Sequence, residues 1–401
     1  MATSSATATQ PLKGLRVLEL STMVTASLAT MILASQGADV IKIEPTGIGD
    51  PMRFIGSQKK GISALFANCN RGKRALAINL KDERGRALML DLARDADVLV
   101  HNYRAGVMEK LGLGSETLRS ANPRLVNVAI TGFGKEGSLA HDPAYDHVIQ
   151  ALAGFTGVQA GPDGPDFMKT LVADKITAYT VSQGITSALL ARATTGQGQH
   201  IDVSMLEACL FFLWPDGMMN QTLLADDVTA FLPMAAYYKT AATRDGHISI
   251  AAATDEHWRG VTQVVERPDI MEDPRFNSIF ARSAHVNALL VEIDGAFKHM
   301  TSAEALAALR ARDVPCAECL MPDQVVAHDQ VVAVGAVTER DHPLLGRMRV
   351  ATPPLRFDGR VGDVERPCPA HGEHSRVIAS ELGRSEELID QLFSDGVLAG
   401  L

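Results

Sequence analysis

The segment LRVLELSTMVTASLATMILASQGADVIKIE, residues 15–44, decides the fold. Residues 15–20 form a short run rich in apolar side chains, residues 26–36 carry apolar positions at helical spacing, and Gly37 stands where a helix C-cap belongs. Residues 39–44 then alternate like a second strand. Strand, helix and strand within about 30 residues make a βαβ unit, which implies parallel strands joined by a right-handed crossover. The pattern repeats outward: strands over 75–80, 97–102 and 125–131, with helices over 82–95 and 116–121. The expected fold class is α/β, with a large Rossmann-like, doubly wound parallel sheet.

Further along, residues 145–155 and 175–194 have helical spacing, TGQG at 195–198 reads as a cap and turn, and 200–203 as one more strand. Residues 214–227 turn polar and Met-rich. RDGH at 244–247 lies between two apolar runs and predicts a hairpin turn. Thr301 and Glu304 have capping-box spacing. The expected organisation is a disordered leader over 1–10, a large domain over 11–225, a smaller α+β domain over 231–321, and a segment over 325–401 that returns to the large domain.

A chain of 401 residues exceeds what one core usually serves, which agrees with two domains. Apolar residues make up 46% and charged residues 21%, so neither disorder nor a fibrous repeat is indicated. A net charge of -9 gives no general attraction to nucleic acid or anionic lipid. Five cysteines do not form a disulfide framework and suit a reducing compartment, hence a cytoplasmic protein. No apolar run approaches the length of a membrane span.

Several chemistries lose support. The loop after the first strand, residues 21–27, contains no glycine, so pyrophosphate lacks its usual approach to the backbone; Glu44, at the ribose-binding position, reads as a surface residue at a strand end. Cys316 and Cys319 form a C-x-x-C without a second ligand pair, and no metal site is expected. Neither H-E-x-x-H nor G-x-S-x-G occurs.

Basic residues gather at NRGKR, 70–74, with Lys81 beyond, where a solvated face is the default expectation. NYRAG, 102–106, follows a strand end, the place where open α/β sheets bind ligands. There Arg104 suits a phosphate and Tyr103 offers a flat face to a base, a combination fit for a nucleotide-tailed ligand. Asp174 and Asp146 each precede a helical pattern. Position alone reads Asp174 as a helix cap and leaves both carboxylates between cap and catalyst.

Taken in order, LKGLRVLELS at 12–21, GADVIKIEP at 37–45, GDPMR at 49–53, the runs at 70–74 and 102–106, GFG at 132–134, TGQGQ at 195–199 and GEH at 372–374 resemble the family III CoA-transferases. That group includes carnitine CoA-transferase, formyl-CoA transferase and α-methylacyl-CoA racemase. The resemblance spans nearly the whole chain. It implies acyl-CoA and carboxylic acid substrates, coenzyme A as co-substrate rather than a permanent cofactor, and an interlocked homodimer. By position it implies CoA contacts at Ile78, Lys81, Asn102, Tyr103, Arg104, Val107 and Lys110. The nucleophilic aspartate falls on Asp174, and the adjoining Tyr-acid pair on Tyr145 and Asp146. The chain departs from the family at Thr25-Ala26-Ser27, where Ala-Gly-Pro is common. It also lacks a counterpart of formyl-CoA transferase's glycine-rich loop, which speaks against a formyl or oxalyl substrate.

The expected mechanism is covalent. Asp174 attacks the thioester, passing through an aspartyl anhydride and an aspartyl-CoA thioester, with oxyanion donors expected near Val24 or over 132–137. If Asp174 capped its helix, the same N–H groups would hold its ground state and slow attack. The alternatives are an α-methylacyl-CoA racemase or epimerase, an intramolecular CoA-transferase, and a silent CoA-binding protein. Racemases carry histidine where Tyr145 stands, and His147 would replace it only after a shift of helix register.

Overall fold

A computed structural model describes residues 10–229, 231–362 and 366–400. Except for Gln10, the expected leader lies outside the described residues. The chain divides into two compact units, one comprising the residues up to Gly157, Gly164–Phe212 and Ala333 onward, the other Val158–Asp163 and Leu213–Val332. The division between Phe212 and Leu213 falls inside one continuous helix, Met205–Gly217, which a change in composition near residue 225 does not mark.

The larger unit begins with β1 (Arg16–Leu20), α1 (Val24–Ala34) and β2 (Asp39–Glu44). There follow α2 (Ala64–Asn70), β3 (Lys73–Ile78), α3 (Glu83–Arg94), β4 (Val98–His101), α4 (Ser115–Ala121) and β5 (Val126–Thr131). Next come α5 (Asp146–Leu152), α6 (Val172–Thr195), β6 (His200–Ser204) and α7 (Met205–Gly217). α1 is apolar or small nearly all round and is buried on most of its surface, as such a helix must be. It packs on α6, which ends at Gly196 with φ +72, a left-handed cap that glycine adopts without a Cβ penalty.

The smaller unit holds β7 (Thr240–Ala242), β8 (His247–Ile250), α8 (Asp255–Val264), α9 (Ser302–Arg310) and β9 (Cys316–Glu318). Its antiparallel sheet has the order β9-β8-β7. Thr243 N–H closes the 244–246 turn on Gly246 O at 2.9 Å, and Thr301 with Glu304 forms the expected capping box. Ile248, Val261, Phe297, Leu306 and Leu309 fill the core.

Back in the larger unit, the hairpin β10 (Val337–His342) and β11 (Gly346–Ala351) precedes α10 (Ser375–Glu381), α11 (Glu386–Ser394) and β12 (Leu398–Ala399). The main sheet runs β12-β3-β2-β1-β4-β5-β6 and is parallel except for β12. Strand order reverses between β1 and β4. The strand ends there open a crevice in which α/β sheets hold ligands. No helix among the described residues is long and apolar enough to cross a membrane.

Candidate active site

α6 supplies the central carboxylate. Its N-cap position is Leu171, and Asp174 is the third helical residue, so Asp174 does not cap the helix in the way its sequence position suggests. The cap role belongs to Asp146, whose Oδ2 accepts the backbone N–H of Asp174 at 3.0 Å. Asp146 is itself fixed by Gln150, whose Nε2 donates to its Oδ1 at 2.5 Å and to the carbonyls of Met168 and Thr170 at 3.2 and 3.1 Å. Asp146 therefore anchors the turn that presents Asp174, and the expected conflict between capping and nucleophilicity does not arise.

Asp174 is 8% exposed. Its Oδ1 accepts a hydrogen bond from Thr25 Oγ1 in the first turn of α1, while Oδ2 has no hydrogen-bond partner among the described residues. Burial pushes the Asp174 pKa up to about 6; the Asp146 charge adds to the rise, and the Thr25 hydroxyl and Lys175 oppose it. Tyr145 immediately precedes α5 and is 60% exposed, and its side chain makes no capping bond. His147 is exposed and packs edge-on against Phe167, whereas Asp146 on the same helix turns inward.

The loop between β1 and α1 is held from three sides. Asn102 donates Nδ2 to Thr22 O at 2.7 Å and accepts Thr22 N–H at 3.2 Å, joining the ends of β1 and β4 across the crevice. Met23 adopts φ +66, a costly conformation for a residue with a Cβ, and gives its N–H to Asp50 Oδ1 at 3.1 Å. Beneath the loop, Lys42 Nζ meets Glu19 at 2.7 Å and Asp50 at 2.9 Å, and Lys73 Nζ meets Glu19 at 2.6 Å. All four charged groups are buried. Ser21, Ser27 and Thr30 donate further bonds to Glu19. Burial alone would raise the Glu19 pKa, but Lys42 and Lys73 overcome it and hold the carboxyl well below its usual range.

Two sequence expectations are corrected here. The basic run at 70–74 is not a solvated face: Lys73 is wholly buried, and Arg74 pairs with Asp39 and Glu381. Glu44 is not a surface residue either, because Arg53 grips it with two bonds, at 2.8 and 2.7 Å, and stacks on Phe66.

The expected CoA contacts divide. Lys81, Arg104 and Lys110 are exposed cations near the ends of β3 and β4, and Tyr103 and Val107 are half-buried beside them. Gly106, at φ +80, turns the chain into the short helix Val107–Lys110. Tyr103 and Arg104 line a cavity of about 270 Å³ together with His101, Asn127, Lys135 and His200, although Asp174 is not in its wall. Asn102 spends both side-chain groups on Thr22 and so acts as a brace. The Ile78 side chain lies in the apolar core, and Ile78 is paired in register with Leu398 of β12. The side chain of Val24 is likewise buried, with Met52 and Phe66. α1 nevertheless starts there without a side-chain cap, leaving first-turn N–H groups for an anion.

The model of CoA-transferase family III matches residues 12–375. The chain belongs to this family. It is 34% identical to acetyl-CoA:oxalate CoA-transferase of Acetobacter aceti over 94% of this chain and 97% of that one. It is 30% identical to succinyl-CoA:glutarate CoA-transferase of Mus musculus, over 97% and 90%. Among solved structures, a CAIB/BAIF family protein from Brucella suis superposes with a TM-score of 0.80 at 30% identity, covering 93% of this chain and 100% of that one. This family III protein is thus an enzyme with CoA-transferase activity, using a CoA thioester as co-substrate.

Thr25, Gln150 and the buried Glu19, Lys42, Lys73, Asp50 group were not read from the sequence as parts of the site. For the last, a signal was present: Glu19 and Lys42 are single charges inside apolar strands, and the register pairs them directly.

Proposed function

We propose that this family III enzyme moves CoA from an acyl-CoA to a free carboxylic acid through covalent intermediates on Asp174. The observation that carries the reading is the state of that side chain: buried, with a pKa of about 6, and with one oxygen engaged and the other without a hydrogen-bond partner among the described residues. Such a group is largely ionised at neutral pH yet poorly solvated, which suits a carboxylate nucleophile.

Asp174 Oδ2 attacks the thioester carbonyl and CoA thiolate departs, leaving a mixed anhydride. The thiolate then attacks the aspartyl carbonyl, releasing the donor acid and forming an aspartyl-CoA thioester. The acceptor carboxylate attacks the same carbonyl, expels the thiolate and forms a second anhydride. Thiolate attack on the acceptor's carbonyl then gives the new acyl-CoA and frees Asp174. First-turn N–H groups of α1 near Val24 are placed to receive the oxyanion of the substrate carbonyl. Lys81, Arg104 and Lys110 serve the CoA phosphates and Tyr103 the base. Asp146 holds the Asp174 turn in place, and Tyr145 borders the acyl group.

The relatives' names pair acyl-CoA donors with oxalate or glutarate, so dicarboxylic acids are the acceptors to try first. Exposed Leu190 and Phe211 are suited to a homodimer contact, and the five free thiols suit the cytoplasm. The test is CoA transfer by Asp174→Ala with acetyl-CoA or succinyl-CoA as donor and oxalate or glutarate as acceptor. Transfer should vanish while CoA affinity stays within a few fold; full turnover would end the proposal.

A further inference from the structure

Resting on the covalent reading above, the geometry points to Thr25 as a catalytic residue whose hydroxyl stabilises the oxyanion formed on Asp174 itself. The two oxygens of Asp174 are not equivalent. Oδ1 accepts the Thr25 hydroxyl, and Oδ2 has no partner among the described residues. Oδ2 is therefore the nucleophile and becomes the bridging oxygen of the anhydride, while Oδ1 becomes the aspartyl carbonyl oxygen.

The four steps then fall into two kinds. In the first and last, the tetrahedral carbon belongs to the substrate, negative charge gathers on the substrate's oxygen, and Thr25 does not touch it. In the second and third, thiolate or acceptor carboxylate attacks the aspartyl carbon. The C=O electron pair moves onto Oδ1, then returns as donor acid or thiolate leaves. Thr25 Oγ1 already donates to that oxygen, so its hydrogen bond strengthens as the charge forms. The donor is preorganised. Thr25 is 4% exposed in the first turn of α1, between Met23, whose N–H is tied to Asp50, and Ser27, which donates to Glu19. Its hydroxyl needs no reorganisation when the charge appears.

The test is rapid quenching after mixing enzyme with a donor acyl-CoA labelled separately in its acyl group and its CoA, without acceptor. Protein-bound acyl label reports the anhydride, and protein-bound CoA the aspartyl thioester. In Thr25→Val, bound acyl label should form at close to the original rate and accumulate, while bound CoA appears about 100-fold more slowly. Thr25→Ser, which restores a hydroxyl, should return both traces to the original pattern. Equal slowing of both adducts in Thr25→Val, or no rescue by Thr25→Ser, would overturn the assignment, since a merely structural role slows both steps alike. Absence of either adduct in the unsubstituted enzyme would instead remove the covalent reading, and the role of Thr25 with it.

Discussion

The backbone N–H of Asp174 points at the Asp146 carboxylate, 3.0 Å away, so one acid caps the helix that presents the other. The pair stands two ways at once. Asp146 fixes the turn through a hydrogen bond, and its charge raises the proton affinity of Asp174. A nucleophile needs the first, and the second adds to the burial that sets the pH at which it works.

Transfer should therefore lose activity on the acid side with an inflection near pH 6, because only ionised Asp174 attacks. Asp146→Asn keeps an acceptor for the N–H but removes the charge, and should move that inflection to lower pH. A kcat/KM profile flat through this range, or a shift upward in Asp146→Asn, would contradict the assignment.

The same shift makes Asp174 a cost to folding. Its folded pKa, about 6, exceeds the ordinary value of 3.8, so the folded state binds the proton more tightly. Stability from this group is thus present below pH 3.8, falls as pH rises toward 6, and stays lost above it. Asp174→Asn should unfold at higher urea than the unsubstituted enzyme at pH 8, by up to about 3 kcal/mol, with little difference at pH 4. Equal midpoints at both pH values would show that the carboxyl is not strained by burial.

Lys42→Met should destabilise the larger unit by about 3 to 5 kcal/mol, because it leaves Asp50 Oδ2 without a counter-charge in a buried site. Urea unfolding checks this. A change below 1 kcal/mol, on the order of an exposed pair, would mean that the network is hydrated.

Asn102→Ala removes both bonds to the Thr22 backbone, about 2 kcal/mol of support for the β1–α1 loop. Since that loop leads into the first turn of α1, the KM for acyl-CoA should rise about tenfold at the least. Steady-state kinetics decide it, and an unchanged KM would remove the loop from CoA binding.

Much of the larger unit was legible because its signals are local. The strand at 39–44 and the helix around 83–94 follow from apolar spacing and from Asp82 at an N-cap, and Gly196 marks the end of α6. Asp174, Tyr145 and Asp146 were reached by resemblance, since residue physics left the two acids undecided between cap and catalyst. What sequence reading missed is held by contacts distant along the chain. Thr25 and Asp174 are 149 residues apart, and Lys73 reaches Glu19 across 54. Neither separation leaves a periodic trace. The basic run at 70–74 was misread for the same reason: its partners, Glu19, Asp39 and Glu381, lie on other elements.

The central claim is that Asp174 becomes covalently linked during CoA transfer. Enzyme incubated with succinyl-CoA or acetyl-CoA, quenched with hydroxylamine and digested with trypsin should yield the 170–175 peptide, TLVADK, as its hydroxamate at Asp174. Recovery of that peptide only in unmodified form, from enzyme that is actively transferring CoA, would contradict the account.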